Sequence, residues 1–172
     1  MVEIKLIDES IAGLGKQIGS LVGCESIKNW QINFSPDLVL GWIPNFNTPN
    51  LGVEKLVQWV DQAPAKVKKI VMLAPAGTAD DATVDQLTVW YGQKAQQLML
   101  DGLYAVKMVD ELEFPYTVIR VLPLTKQKVA GKIYREGQSL LGQVTPQDTL
   151  VKVFVEALTT DKYLNQSIGI AD

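Results

Sequence analysis

Lys69-Ile-Val-Met-Leu-Ala74, stopped at once by Pro75-Ala76-Gly77, is an apolar run of strand length after its first residue. A run without polar alternation suits a strand buried on both faces, and that burial belongs to parallel sheets covered by helices on each side. Upstream, Val53, Leu56, Val57 and Val60 recur at helical spacing. Before them, Asp37-Leu-Val-Leu-Gly-Trp-Ile43 repeats the buried-strand pattern, and the Pro- and Asn-rich stretch Pro44–Asn50 reads as a loop. Downstream, a long helical region covers residues 83–112, with an interruption expected near Asp101-Gly102. Tyr116-Thr-Val-Ile-Arg-Val-Leu122 then reads as a β-branched strand.

The same alternation extends to both ends. Val2–Ile7 alternates apolar and charged residues and stops at Asp8-Glu9-Ser10, a strand followed by a helix cap. Ile11, Leu14, Ile18, Leu21 and Val22 follow at helical spacing. Thr145-Pro-Gln-Asp148 predicts a helix start, with Thr as N-cap, Pro in the first position and a carboxylate three residues after the cap. Leu150, Val153, Phe154, Ala157 and Leu158 share one face of that helix, and Gln166–Ala171 reads as a short strand. Strand–helix alternation of this kind implies right-handed βαβ crossovers in an α/β sandwich with a mostly parallel sheet. There are no internal repeats.

Composition bounds the chemistry. The chain has 172 residues, 47% hydrophobic and 20% charged, which fits one domain (residues 1–172) with a sizeable core. A net charge of −3 argues against a nucleic-acid role that depends on a broad basic surface. No histidine is present, which removes Ser-His-Asp and Cys-His catalysis and His-containing zinc sites. Cys24 is the only cysteine, so neither an intrachain disulfide nor a cysteine metal cluster is available, and no metal site is expected. The charged N-terminal segment does not read as a signal peptide, so none is expected, and no apolar run approaches the roughly 20 residues of a membrane span. A cytoplasmic protein without membrane contact is the expectation.

Three stretches resemble the atypical short-chain dehydrogenase/reductase group, the NmrA-like NAD(P)-binding proteins. They are Lys66-Val-Lys-Lys-Ile-Val-Met-Leu-Ala-Pro-Ala-Gly77, Leu112-Glu-Phe-Pro-Tyr-Thr-Val-Ile-Arg120, and Val144-Thr-Pro-Gln-Asp148 leading into Val153-Phe-Val-Glu-Ala-Leu158. Their order and separations are similar to the group's over residues 37–172. The resemblance implies a Rossmann-like three-layer fold, NAD or NADP as cofactor, and an oxidoreductase or a non-catalytic relative that senses a nucleotide or a partner. A full sheet of this group has strand order 3-2-1-4-5-6-7, yet residues 1–37 hold room for one clear strand–helix unit. If the group's second strand were the one kept, the sheet would lack its centre and leave two buried edges unpaired. Keeping the first strand merely trims one edge, so an N-terminally trimmed 1-4-5-6-7 sheet is expected. Asn29–Phe34 is a weaker candidate for an extra edge strand, since Ser35-Pro36 is too short for a parallel crossover. The trimmed apolar edge is also a candidate for homo-oligomer formation.

Gly13-Leu-Gly15-Lys-Gln-Ile-Gly19 resembles the group's pyrophosphate loop, where a helix N-terminus cradles phosphate. The middle glycine is replaced by Lys16. The competing reading is a helix begun at Ile11 with Gly15, Gly19 and Gly23 as a small-residue stripe. Helical spacing and the nearby charges of Asp8 and Glu9 favour it. Strand ends supply further candidate cofactor contacts: Gly41, Trp42 and Ile43, then Ala74 and Pro75, then Leu122 and Pro123, because ligands of open α/β sheets bind at the carboxyl edge. Pro44, Asn45, Phe46, Asn47, Gly77 and the loop Thr125–Val129 share that edge, with Lys126 and Lys128 able to face an anion. The Tyr-x-x-x-Lys signature of short-chain reductases, in which the ammonium lowers the phenol's pKa, is absent: Tyr91 precedes Ala95 and the group's usual positions fall near Leu98 and Gly102. Tyr104 and Lys107, three residues apart, are the remaining candidate catalytic pair. Asp148 and Arg120 match group positions but read as a helix-capping residue and a structural strand residue.

Overall fold

The computed structural model describes every residue except Met1, Ile11, Phe34, Pro36 and residues 63–66. Its elements alternate as β1 (Glu3–Asp8), α1 (Leu14–Val22), β2 (Ser26–Ile27), β3 (Leu38–Ile43), α2 (Pro49–Asp61), β4 (Lys69–Pro75), α3 (Val84–Tyr91), α4 (Ala95–Glu111) and β5 (Tyr116–Val121). Then come β6 (Leu124–Thr125), β7 (Lys132–Tyr134), β8 (Thr145–Pro146), α5 (Gln147–Thr159) and β9 (Gln166–Ala171). Among the described residues the main sheet has seven strands in the order β2-β1-β3-β4-β5-β9-β7. All pairs are parallel except β7 with β9.

The centre of this sheet, β1-β3-β4-β5-β9, is the expected trimmed order. β1 lies beside β3 over its full length, Glu3 opposite Leu38 to Asp8 opposite Ile43. Beyond it, among the described residues, stands only the two-residue β2, opposite Leu6 and Ile7. The extra edge strand therefore falls at Ser26–Ile27 and not within Asn29–Phe34, of which Phe34 lies outside the described residues. The following segment packs on the α2 face: Trp30 meets Trp42 edge-on at 6.0 Å and Trp59 at 6.3 Å, and Trp59 Nε1 donates to the Ile32 carbonyl.

Helices cover both faces. Leu14 and Ile18 of α1 and Leu150, Phe154 and Leu158 of α5 pack with Leu6, Val39, Val71 and Ile119. Val53 and Leu56 of α2 and Ala105 and Val109 of α4 pack with Ile7, Leu40, Trp42, Ile70 and Val118 on the other face. Every residue of β3 and β4 is buried, as their unbroken apolar runs require.

Three local expectations change. The helical region breaks at Gly92–Lys94, a single 3-10 turn, and not at Asp101-Gly102. Gly92 adopts φ 71°, a left-handed value that favours glycine, whereas Gly102 sits inside α4 because a Cβ there would lie 2.6 Å from Pro75 Cγ. Thr145 does not cap α5: the helix begins at Gln147 after Pro146 with no side-chain cap. Its hydroxyl donates to the Ile170 carbonyl at 2.6 Å and accepts the Leu122 N–H at 2.8 Å. Finally, α1 begins at Leu14 after Gly13 in a left-handed turn with φ 68°; Ile11, the expected helix start, lies outside the described residues. No helix is long and apolar enough to cross a membrane among the described residues.

Candidate functional site

A cavity of about 340 Å³ opens at the carboxyl edge of the sheet. Its floor is the ends of three strands, Ile43, Leu73 and Val121, and the β3–α2 loop adds Pro44, Asn45, Phe46 and Asn47. Tyr91 and Leu98 close it from α3 and α4, Leu122, Pro123 and Leu124 from the segment after β5, and Ser10, Ala12 and Leu14 from the turn before α1. The wall is apolar with a few polar groups, as ligand pockets of this size usually are. Among the described residues no Lys, Arg, Asp or Glu lines it. Its lining offers a ligand no charged partner.

Two hydrogen-bonded elements hold the walls. Asn45 Oδ1 accepts the Asn47 N–H at 3.0 Å, shaping the β3–α2 loop. Tyr91 donates its hydroxyl to the Val121 carbonyl at 2.7 Å and accepts the Ala76 N–H at 3.0 Å. Burial pushes this phenol well above the ordinary tyrosine value, opposed by the Ala76 N–H and reinforced by the Asp81 charge. Both bonds of the Tyr91 hydroxyl are made to backbone, and burial holds it in the protonated form, so in this structure it positions the wall of the cavity.

The turn before α1 has one decisive occupant. Asp8, 5% exposed, accepts the Gly15 N–H on Oδ2 at 2.7 Å, and accepts the Ser10 N–H and hydroxyl on Oδ1 at 2.9 and 2.5 Å. An anion is thus already seated at the positive end of α1. Glu9, beside it, accepts the Trp42 indole N–H at 2.7 Å and lies 3.9 Å from Lys55 Nζ.

The sequence candidates separate accordingly. Ile43, Leu122 and Pro123 line the cavity, as do Pro44, Asn45, Phe46 and Asn47. Trp42 is fully buried and points into the α2/α4 face. Gly41 is a packing position on the other face, where a Cβ would meet Leu6, Phe154 and Leu158. Ala74 is core, and Pro75 packs on Gly102. Gly13 forms the turn, Gly15 makes room for Asp8 and Ser26, and Gly19 lets α1 approach the Cys24 carbonyl. A left-handed glycine turn precedes the helix, and the later glycines serve packing. Tyr104 and Lys107 are exposed on α4 and neither lines the cavity, so the geometry does not join them to it. Lys126 and Lys128 are exposed and Gly77 is also absent from the wall. Asp148 stands in the first turn of α5, favourable to the helix dipole, and no group of three or more metal-ligating residues occurs among the described residues. Sequence reasoning did not place Tyr91 and Leu98 at this wall because their positions depend on the helix break at Gly92–Lys94, nor Leu73, which reads as one more core residue of a buried strand.

No protein-family model matches the chain, and no curated protein matches it closely enough to count as a relative. Solved structures share its fold. A short-chain dehydrogenase/reductase (wide type) from Veillonella parvula in complex with NADP superposes with a TM-score of 0.76 at 12% identity, covering 98% of this chain and 94% of that one. An oxidoreductase from Lactococcus lactis gives 0.64 at 14% identity, covering 98% and 90%. A Rossmann-fold NAD(P)-binding family protein from Shigella flexneri gives 0.64 at 8% identity, covering 100% and 94%. At these identities the likeness is one of fold: a Rossmann-like α/β sandwich shared with NAD(P)-binding oxidoreductases.

Proposed function

We propose that the protein is an NAD(P)-binding, oxidoreductase-like member of the NmrA-like group, and that the nicotinamide end of NAD or NADP, a ring that is neutral in the reduced cofactor, enters the carboxyl-edge cavity. The observation that carries this reading is the cavity itself: uncharged and apolar, about 340 Å³, at the strand ends where open α/β sheets take ligands. The motif resemblances and the shared fold support it. The ring end fits these residues; the pyrophosphate end meets Asp8 at the α1 turn. When bound, the cofactor supplies hydride chemistry, while this chain's Ile43, Leu98, Leu122 and Pro123 exclude water and orient the ring.

Tyr91 favours a second reading, a non-catalytic nucleotide-sensing relative, because its hydroxyl is committed to Val121 and Ala76. Tyr104 and Lys107 remain the pair to test for proton transfer. Titration with NADPH and NADH, followed by nicotinamide fluorescence and thermal shift, tests binding. Saturable binding that Leu98→Trp abolishes supports the cavity; no binding at millimolar cofactor sinks it. For any substrate then found, unchanged turnover in Tyr104→Phe selects against the Tyr104/Lys107 role.

A further inference from the structure

We infer that Asp8 is an internal competitor for the cofactor's pyrophosphate, so that this chain takes a dinucleotide only when Asp8 releases the Gly15 N–H. The inference rests on the NAD(P)-binding reading above and concerns the end of the ligand that the cavity does not hold. In Rossmann-like folds a pyrophosphate is held by the backbone N–H groups at the N-terminus of the first helix. Here the left-handed Gly13 and the start of α1 at Leu14 build that turn, and Ser10, Ala12 and Leu14 connect it to the cavity wall. The Gly15 N–H is nonetheless held by Asp8 Oδ2 at 2.7 Å.

Gly15 is what allows the carboxylate in: a Cβ there would lie 2.6 Å from Asp8 Cβ and 2.7 Å from Oδ2. Ser10 fixes the other carboxylate oxygen with two hydrogen bonds. A pyrophosphate arriving at this turn therefore meets an occupied donor and a like charge in a partly buried site, where repulsion is strong. Removing the charge while keeping the shape should admit it.

The test measures dissociation constants of NADH, NADPH and the phosphate-free reduced nicotinamide riboside by nicotinamide fluorescence. Wild type, Asp8→Asn, Asp8→Ser and Leu98→Trp are compared, with thermal melts confirming folding. Asp8→Asn removes the charge and leaves the Gly15 N–H only a weaker, neutral acceptor to give up, and is expected to bind the dinucleotides at least tenfold more tightly than wild type, with riboside affinity unchanged. In wild type, the Gly15 amide resonance is expected to shift on titration with NADPH. Binding by wild type that Leu98→Trp abolishes, without gain in either Asp8 variant or with an unmoved Gly15 amide, overturns the role of Asp8 and leaves the proposed function standing. Absence of dinucleotide binding in every variant overturns both.

Discussion

Arg120 donates from Nη1 to Asp81 Oδ2 with both side chains fully buried. The guanidinium also reaches the Ser167 hydroxyl at 3.0 Å and carbonyl at 3.2 Å, and Asp81 Oδ1 accepts the Gly77 N–H at 2.7 Å. The pair thereby ties the loop after β4 to β5 and β9, beneath the wall that Tyr91 completes. Breaking a buried pair strands the remaining charge and typically costs about 3–5 kcal/mol, whereas replacing both partners by apolar residues avoids that penalty. Urea unfolding should therefore show Asp81→Ala destabilised by about 3–5 kcal/mol. Asp81→Leu combined with Arg120→Met should be more stable than Asp81→Ala; the reverse order would show the pair is not the source of the loss.

Tyr91 makes alkaline stability informative. Burial first, and then Asp81, raise its pKa above the ordinary 10.0, with the Ala76 N–H opposing them. The unfolded chain then releases the phenolic proton at lower pH than the folded one. Stability from this group is fully present below pH 10 and is lost as pH rises above it. Tyr116 and Tyr163 are raised as well, chiefly by burial. Tyr91→Phe should lose about 0.5–1.5 kcal/mol at neutral pH and show a shallower decline above pH 10 than wild type. An equally steep decline would contradict the assignment.

Gly102 sets packing against helix propensity. Alanine inside a helix is favoured over glycine by about 1 kcal/mol, yet a Cβ here would fall 2.6 Å from Pro75 Cγ and 2.8 Å from its Cδ. The proline ring cannot swing aside, and overpacking costs about 1–3 kcal/mol. Gly102→Ala should be neutral to destabilising in chemical denaturation and Gly102→Val clearly destabilising; a stabilised Gly102→Val would refute the close contact.

The central strands were legible because burial on both faces leaves an apolar run that needs no context. Trimming followed from edge pairing: losing β-strands outside β1 exposes one edge, whereas losing β1 would open the middle. Elements held by a few distant contacts were not legible. β7 carries the partly exposed Lys132, Ile133 and Tyr134 and pairs with β9 alone, so no apolar run announces it. Gly102 signalled a break and is instead a packing contact with Pro75, 27 positions earlier in the chain. Thr145 has the sequence of a cap, but its hydroxyl is taken by Leu122 and Ile170. At the site, the loop Pro44–Asn47 was legible from its place after a buried strand. Asp8 was legible as part of the cap segment Asp8-Glu9-Ser10 and as a negative charge near the turn, but not as the acceptor of the Gly15 N–H, because that reach depends on the path of the turn between them.

The most direct measurement is the set of nuclear Overhauser contacts between the nicotinamide ring protons of NADPH and the methyl groups of this protein. The account predicts contacts to Leu98, Leu122 and Ile43, which line the cavity together, strengthened in Asp8→Asn. Contacts confined to other methyl groups, or none at millimolar NADPH in wild type and Asp8→Asn alike, would contradict it.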